Sequence, residues 1–292
     1  MNTSKASIAL ASAGFVLIWS TGWIMARFAV PDSPLLTFLL FRHFGAGLCL
    51  MVLALWMRAD WPKAKAWGHA AVSGILLHAG YLGCVWYAIS QGMPASIAAL
   101  LSAVQPILTI CLAPRLLGET VTPKQWLGVT LATLGLCVVL GPRLFNLEAD
   151  ALSKSLVPLL INLVGMLSLT AGTLYQKTFR YKADIQSVAA IQYGASLLIT
   201  LPFALMMEDM QIHWTPTIIL TMLWSVLGVS VGAILLFLFL IKRNEVVKSS
   251  QLFFLVPPAS AIQAYLFFGE TFSAIQLAGI CLTVLGVALS SL

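Results

Sequence analysis

The chain has 292 residues, of which 60% are hydrophobic and only 9% charged, with a formal net charge of +6. Soluble domains carry about 25% charged residues, so a water-facing exterior cannot be built from this composition, and lipid is the solvent that fits. The positive charge does not point to nucleic acid, because the Lys and Arg residues are scattered between apolar runs rather than gathered on one face.

A helix needs about 20 apolar residues to cross a bilayer. The first run, Ala6–Val30, is longer than the core of a signal peptide and reads as the first span. It sets Trp19, Trp23 and Arg27 on one helical face. They line a cavity, or they form an aromatic belt with a snorkelling Arg. The second span, Leu35–Met57, carries Arg42 about 10 Å into the membrane, with His43 beside it. A charge at that depth faces a cavity or a partner, and marks a functional site by default. Arg42 binds substrate there, or it braces the span against helix-end carbonyls.

The third span, Trp67–Ser90, holds His78 near its middle, then Tyr81, Trp86 and Tyr87. In the fourth, Ala95–Leu117, one face presents Ala98, Ser102, Gln105 and Thr109. Pro106 kinks that helix and frees the Ser102 carbonyl, which lipid tolerates only where it lines a cavity or finds a partner. The fifth span is Lys124–Gly141; the sixth, Ser155–Thr178, carries Thr170, Tyr175 and Gln176; the seventh is Ile185–Met207 and the eighth Thr215–Ile241. The ninth, Val246–Phe268, repeats the proline device with a kink at Pro257, and adds Ser249, Ser260 and Gln263. The tenth is Ser273–Ser291. The polar positions of the fourth and ninth spans have two readings: cavity lining, or helix packing through hydrogen bonds. Small-residue stripes at Gly128, Ala132 and Gly135, at Gly228 and Gly232, and at Gly279 and Gly286 are assigned to close backbone approach.

With the N-terminus in the cytoplasm, the inside segments hold twelve Lys and Arg residues and the outside loops two, Arg143 and Lys154. Both termini are therefore expected inside. The halves also match one another. The triplet Gly118-Glu119-Thr120 returns 151 residues later as Gly269-Glu270-Thr271, and ten of thirty positions from Pro106 to Gly135 recur at that offset. Five spans in each half force the halves to face opposite ways, an inverted-topology repeat of the kind transporters use. The expected units are residues 1–145 and 152–292. Each triplet reads as a helix hairpin. Gly118 and Gly269 end one helix in the left-handed conformation, and Thr122 with Gln125, or Ser273 with Gln276, opens the next through a capping box. Glu119 and Glu270 lie near helix N-termini, where negative charge is favoured, so they are expected to serve the turns.

Enzyme chemistry finds no constellation. There is no phosphate-binding Gly-rich loop with Lys and no plausible triad. The five cysteines form no Cys-x-x-Cys pair, so neither a metal nor a cofactor is expected.

Two five-span halves, each with a mid-span Pro, a Gly-Glu turn, a polar cap and a Gly-rich last helix, resemble the EamA-like family of the drug/metabolite transporter superfamily. The stretch "WSTGWIMARF", Trp19–Phe28, resembles that family's first span. The resemblance implies an all-α bundle of ten transmembrane helices around a central cavity, in a bacterial inner membrane. Spans 1, 3, 4, 6, 8 and 9 would line the cavity, and export would proceed by alternating access. It does not choose the substrate. All ten Asp and Glu residues lie at or beyond span ends, so no mid-membrane carboxylate is available to hold a cation. Embedded Arg42 and His78 instead suit a carboxylate-bearing metabolite, an amino acid most simply, with Gln105 and Trp19 contacting the remainder. Trp23, Tyr81, Trp86, Ser102, Tyr175 and Ser260 complete the expected lining. His78 titrates near neutral pH, which allows proton coupling. The alternative in the same class is multidrug efflux; a membrane-embedded enzyme or receptor is the alternative outside it.

Overall fold

The computed structural model describes residues 5–91, 93, 98, 101, 104–145, 156–179, 183–243, 251–269 and 273–291. Among the described residues there are helices and turns but no strands. The helices are α1 Lys5–Ala29, α2 Leu35–Trp56, α3 Lys65–Gly74, α4 Tyr81–Ser90, α5 Val104–Leu117, α6 Pro123–Phe145 and α7 Leu156–Thr178. They continue with α8 Ile185–Met207, α9 Pro216–Trp224, α10 Ile234–Arg243, α11 Val256–Phe268 and α12 Ala274–Ser291. Among the described residues, six rods are long and apolar enough to cross a membrane: Ser7–Ala26, Leu35–Trp56, Lys65–Ser90, Leu156–Thr178, Ile185–Met207 and Pro216–Arg243. Shorter apolar helices accompany them. Their outward faces carry Leu, Ile, Val and Phe, as a lipid-facing surface requires.

Two rods are not plain α-helices. A π-helical segment, Ile75–Gly80, joins α3 to α4, and another, Ser225–Ala233, joins α9 to α10. They stand at corresponding places in the two halves. A π turn spreads the ladder, and its carbonyls are open to a second donor. Ser196 Oγ donates to the Gly74 carbonyl at 2.9 Å and Ser168 Oγ to the Leu76 carbonyl at 2.8 Å. Tyr193 Oη donates to the Ser230 carbonyl at 3.1 Å.

The packing is paired across the halves. Helix α6 lies along α12, and α2 along α8. The rod α3–α4 packs on α7 and α8, while its counterpart, α9 to α10, packs on α1 and α2. Glycines set the closest approach. A Cβ on Gly128 would stand 2.5 Å from the Gly286 carbonyl oxygen, and one on Gly286 would stand 2.6 Å from that of Gly128. Gly135 and Gly279 face one another in the same reciprocal way.

Both hairpins are formed by their capping boxes. Thr122 N donates to Gln125 Oε1 at 2.8 Å, and Gln125 N to Thr122 Oγ1 at 3.3 Å. Ser273 and Gln276 make the same exchange at 3.0 and 3.3 Å. Gly118 and Gly269 have φ of 68° and 67°, the left-handed values that favour glycine. Glu119 is half-buried beside the first turn; Glu270 lies outside the described residues. Pro257 sits in the first turn of α11, directly after a 3-10 turn, Leu252–Leu255. A first-turn proline sacrifices no ladder hydrogen bond, so the chain bends there without breaking a helix. Pro106 is buried in α5; residues 102 and 103, and with them the Ser102 carbonyl, lie outside the described residues.

The bundle has two chemically distinct ends. One brings together Asp60, Asp184, Lys177 and the Ile241–Lys242 turn: Asp60 N donates to Asp184 Oδ2 at 2.9 Å and Lys177 Nζ to the Ile241 carbonyl at 2.8 Å. With Arg58, Lys65 and Arg243 on the adjoining chain ends, this is the basic end. The other end gathers Asp32, Glu208, Asp209 and His213. Glu208 there closes the N-terminus of α2. Its carboxylate accepts from Leu36 N at 2.9 Å, Thr37 N at 2.6 Å and Thr37 Oγ1 at 2.7 Å. Pro34, the capping residue, offers no side-chain bond, so Glu208 supplies both the missing acceptors and a charge matched to the helix dipole. Glu208→Ala should therefore lower the stability of the bundle by about 1–2 kcal/mol. A melting curve in detergent checks this, and an unchanged midpoint would remove Glu208 from the fold's supports.

Candidate substrate site

A narrow pocket opens among α1, α2, α4 and the second π segment. It is lined by Trp19, Gly22, Arg42, Tyr81, Leu82, Val85, Trp86 and Val229. Four expected site residues, Trp19, Arg42, Tyr81 and Trp86, thus meet in one place. Trp19 and Tyr81 lie nearly parallel, 6.5 Å between ring centroids and 10° between planes. Trp86 stacks on Phe38 at 5.6 Å, which fixes its ring. A Cβ on Gly22 would touch nothing within 4 Å, so the pocket keeps open space beside that backbone.

Among the described residues, Arg42 is the one charged side chain of this lining, and it is only 3% exposed. Its Nε donates to Ser230 Oγ at 2.6 Å, and its guanidinium carbon lies 5.9 Å from the Trp86 ring centroid. Ser230 is held in the π segment, whose backbone is tied to Tyr193. No carboxylate pairs with Arg42 among the described residues. The nearest chemistry is one hydroxyl and one aromatic face, and neither neutralises a cation. Such an Arg presents forked donors matched to a carboxylate.

Toward the basic end the pocket is closed by an aromatic cluster. Phe15 stacks on Phe237 at 5.2 Å, and Phe253 meets Trp19 edge-on at 5.5 Å. All four rings are buried. Beyond the cluster a second groove opens at the basic end, lined by Gln176, Lys177, Phe179, Leu238, Ile241 and Lys242 among others. The arrangement is a small polar-tipped pocket, an aromatic cluster, and a separate groove on the far side.

The remaining expected residues are placed elsewhere. His78 is fully buried behind the pocket, stacked on Tyr193 at 4.2 Å. Gln105 is fully buried on α5, where its Nε2 donates to Thr109 Oγ1 at 3.2 Å. Tyr175 lies at the basic end, bonded to His69 at 2.7 Å between Oη and Nδ1. Ser260 donates to the Ser20 carbonyl at 2.7 Å, and Gln263 Nε2 to Ser20 Oγ at 2.8 Å, so both tie α11 to α1. The side chains of Trp23 and Pro257, and the whole of Ser102, lie outside the described residues. Sequence reasoning missed Ser230 and Tyr193, which position Arg42. A serine facing an embedded Arg is a visible signal only once the eighth span is known to lie on the second.

The EamA-like transporter family matches residues 6–141 and, a second time, residues 156–292. The chain belongs to that family, and it is a multi-pass membrane protein of the transporter class. It is similar to an uncharacterised transporter, YvbV, of Bacillus subtilis, 25% identical over 98% of this chain and 92% of that one. It is also similar to an uncharacterised inner membrane transporter, YedA, of Escherichia coli, 23% identical over 94% of this chain and 88% of that one. A third relative is a probable amino-acid metabolite efflux pump of Salmonella typhimurium, 25% identical over 93% and 90%. A crystal structure superposes with a TM-score of 0.82 at 18% identity, covering 99% of this chain and 98% of that one, a likeness of fold.

Proposed function

We propose that this protein exports small carboxylate-bearing metabolites, amino acids most simply, across a bacterial inner membrane by alternating access. One observation carries the reading: Arg42 is buried, lines an aromatic-walled pocket, and has no carboxylate partner among the described residues. An anionic substrate would supply the missing charge. The Salmonella relative, named as an amino-acid metabolite efflux pump, supports the substrate class. Proton coupling is part of the reading, with an imidazole as the carrier. The aromatic walls favour a second reading, multidrug efflux, since Trp and Tyr faces also hold organic cations. A fixed Arg beside them opposes a cationic ligand.

The architecture belongs to the same proposal. Ten spans in two oppositely oriented units, residues 1–145 and 152–292, account for the paired packing, the paired π segments and the twofold family match. Both termini are then cytoplasmic, with the basic end inside. Single cysteines at Thr122 and Ser273, in a background lacking Cys49, Cys84, Cys111, Cys137 and Cys281, should label from opposite faces, Thr122 from the cytoplasm. Labelling of both from one face would overturn the inverted arrangement. For the substrate, purified protein is melted against a panel of amino acids, organic anions and organic cations, since a ligand of the native state raises the midpoint by mass action. Amino acids or organic anions should raise it. Stabilisation by organic cations alone would overturn the carboxylate reading.

A further inference from the structure

Behind the pocket lies a polar seam that substrate recognition does not use. It starts at the basic-end groove, where Gln176 is part of the lining. Gln192 Nε2 donates to Gln176 Oε1 at 2.8 Å and to Ser73 Oγ at 2.9 Å. The Gln192 amide also lies beside His78, which stacks on Tyr193. The His43 ring centroid is 6.4 Å from that of His78 and 5.8 Å from that of Tyr193. His43 Nδ1 meets Thr200 Oγ1 at 3.3 Å. Tyr193 then reaches Ser230, and Ser230 holds Arg42 at the substrate pocket. The seam therefore runs from the groove to the pocket and passes around the aromatic cluster.

Four atoms in it are fully buried and lack any hydrogen-bond partner among the described residues: His43 Nε2, both nitrogens of His78, and Gln192 Oε1. Each buried polar atom left unsatisfied in lipid costs free energy that water cannot offset, and four of them lie together in this seam. Two of the residues are imidazoles, side chains able to bind and release a proton. Neither imidazole lines the pocket. Among the described residues, the titratable or charged groups facing the pair are Arg42 on α2 and Tyr193 on α8. From α7 the facing group is Gln176, through Gln192, and from the second π segment it is Ser230. Every described Asp and Glu lies in a loop or at a helix end, so none faces the pair.

We propose that His43 and His78 are the proton site of this transporter, reached from the basic-end groove through Gln176 and Gln192, and filled when a carboxylate occupies Arg42. This rests on the carboxylate reading above. One proton arrives from water in the groove, bonds to a vacant imidazole nitrogen to give an imidazolium, and later leaves from that nitrogen; no other bond changes. The charge of Arg42 acts on both imidazoles. A substrate carboxylate on Arg42 cancels that charge, so bound substrate and bound proton favour one another. By linkage the effect is reciprocal. Substrate and proton then cross together, and a monoanion crosses as a neutral pair.

The test has two arms. In the first, the amino acid of the panel that most stabilises the wild type is titrated calorimetrically in buffers of different ionisation enthalpy. About one proton should be taken up per ligand bound. His78→Gln and His43→Gln, each confirmed folded by melting, should still bind the ligand but lose the uptake. Binding without proton uptake in the wild type, or uptake undiminished in both variants, would overturn the proposal. The second arm uses the wild type without any substrate: deuterium exchange at the imidazole C2 position of His43 and His78, followed from about pH 5 to about pH 9. Exchange should occur, vary with pH, and slow in Gln192→Leu. Imidazoles that fail to exchange, or exchange at a rate independent of Gln192, would defeat the proton route. A panel in which no amino acid stabilises the protein defeats the carboxylate reading instead, and the exchange arm still decides the proton site.

Discussion

Gly135→Leu is expected to abolish the folded protein. A Cβ at this position would stand 2.5 Å from both the nitrogen and Oγ1 of Thr283 and 2.7 Å from the Gly279 carbonyl oxygen. Two of those atoms are backbone, so no rotamer change relieves the overlap. Helices α6 and α12 would have to part along their whole seam, including the reciprocal contact of Gly128 with Gly286. Overpacking of a close interface costs roughly 1–3 kcal/mol, and here the lost contact of the separated helices adds to it. A loss above about 3 kcal/mol exceeds what one substitution usually does and is a large fraction of a domain's stability. Gly83→Ala is the control: nothing lies within 4 Å of its Cβ, and it sits inside α4, where Ala is the better helix former. Its melting point should stay level or rise slightly. Detergent-extracted yield and the melting midpoint check both variants. A normal midpoint for Gly135→Leu would mean that α6 and α12 are not held at backbone contact.

Much of this was legible before any coordinates, and the part that was not has a physical reason. The hairpins at Gly118–Gln125 and Gly269–Gln276 were readable because each device is local: a left-handed glycine, then a hydroxyl and an amide three residues apart. The glycine stripes were readable because a helix turns every 3.6 residues wherever it stands. Trp19, Arg42, Tyr81 and Trp86 were nominated one helix at a time, and the fold set them in one pocket. What composition and spacing could not show was which faces meet. Ser260 has the residue type of a cavity-lining group, yet its hydroxyl is occupied by the Ser20 carbonyl of a neighbouring helix. His78 is buried in the bundle, but position along a span says nothing about rotation about it. Its ring faces Tyr193 and Gln192 instead of the pocket. The π segments left no clear trace in an apolar run either, since a single extra residue per turn changes no composition. They matter because the second one carries Ser230 to Arg42.

Arg42→Gln is expected to weaken carboxylate ligands about 10- to 100-fold while leaving the protein folded. Two parallel charge-assisted hydrogen bonds to a carboxylate are among the stronger polar contacts, and each hydrogen bond to a charged group contributes about 1.5–3 kcal/mol. Gln keeps one neutral amide donor, so the net loss is about that of one such bond. Stability should move the other way or not at all. Arg42 is a buried cation with a hydroxyl and an aromatic face as neighbours, and no described carboxylate compensates its desolvation. A neutral amide of similar reach carries no such penalty. The alternative, in which Arg42 only braces α2 against Ser230 in the second π segment, makes the opposite forecast: the melting point falls and ligand stabilisation survives. Arg42→Lys separates charge from geometry, since it keeps the cation and loses the planar fork. It should bind carboxylates with an affinity between those of the wild type and the Gln variant. Ser230→Ala removes the contact that aims the guanidinium and leaves the charge in place. It should lower carboxylate affinity less than Arg42→Gln does. Transport in proteoliposomes, read beside the melting curves, separates the cases. Carboxylate transport by Arg42→Gln equal to the wild type would end the role of this side chain in substrate binding.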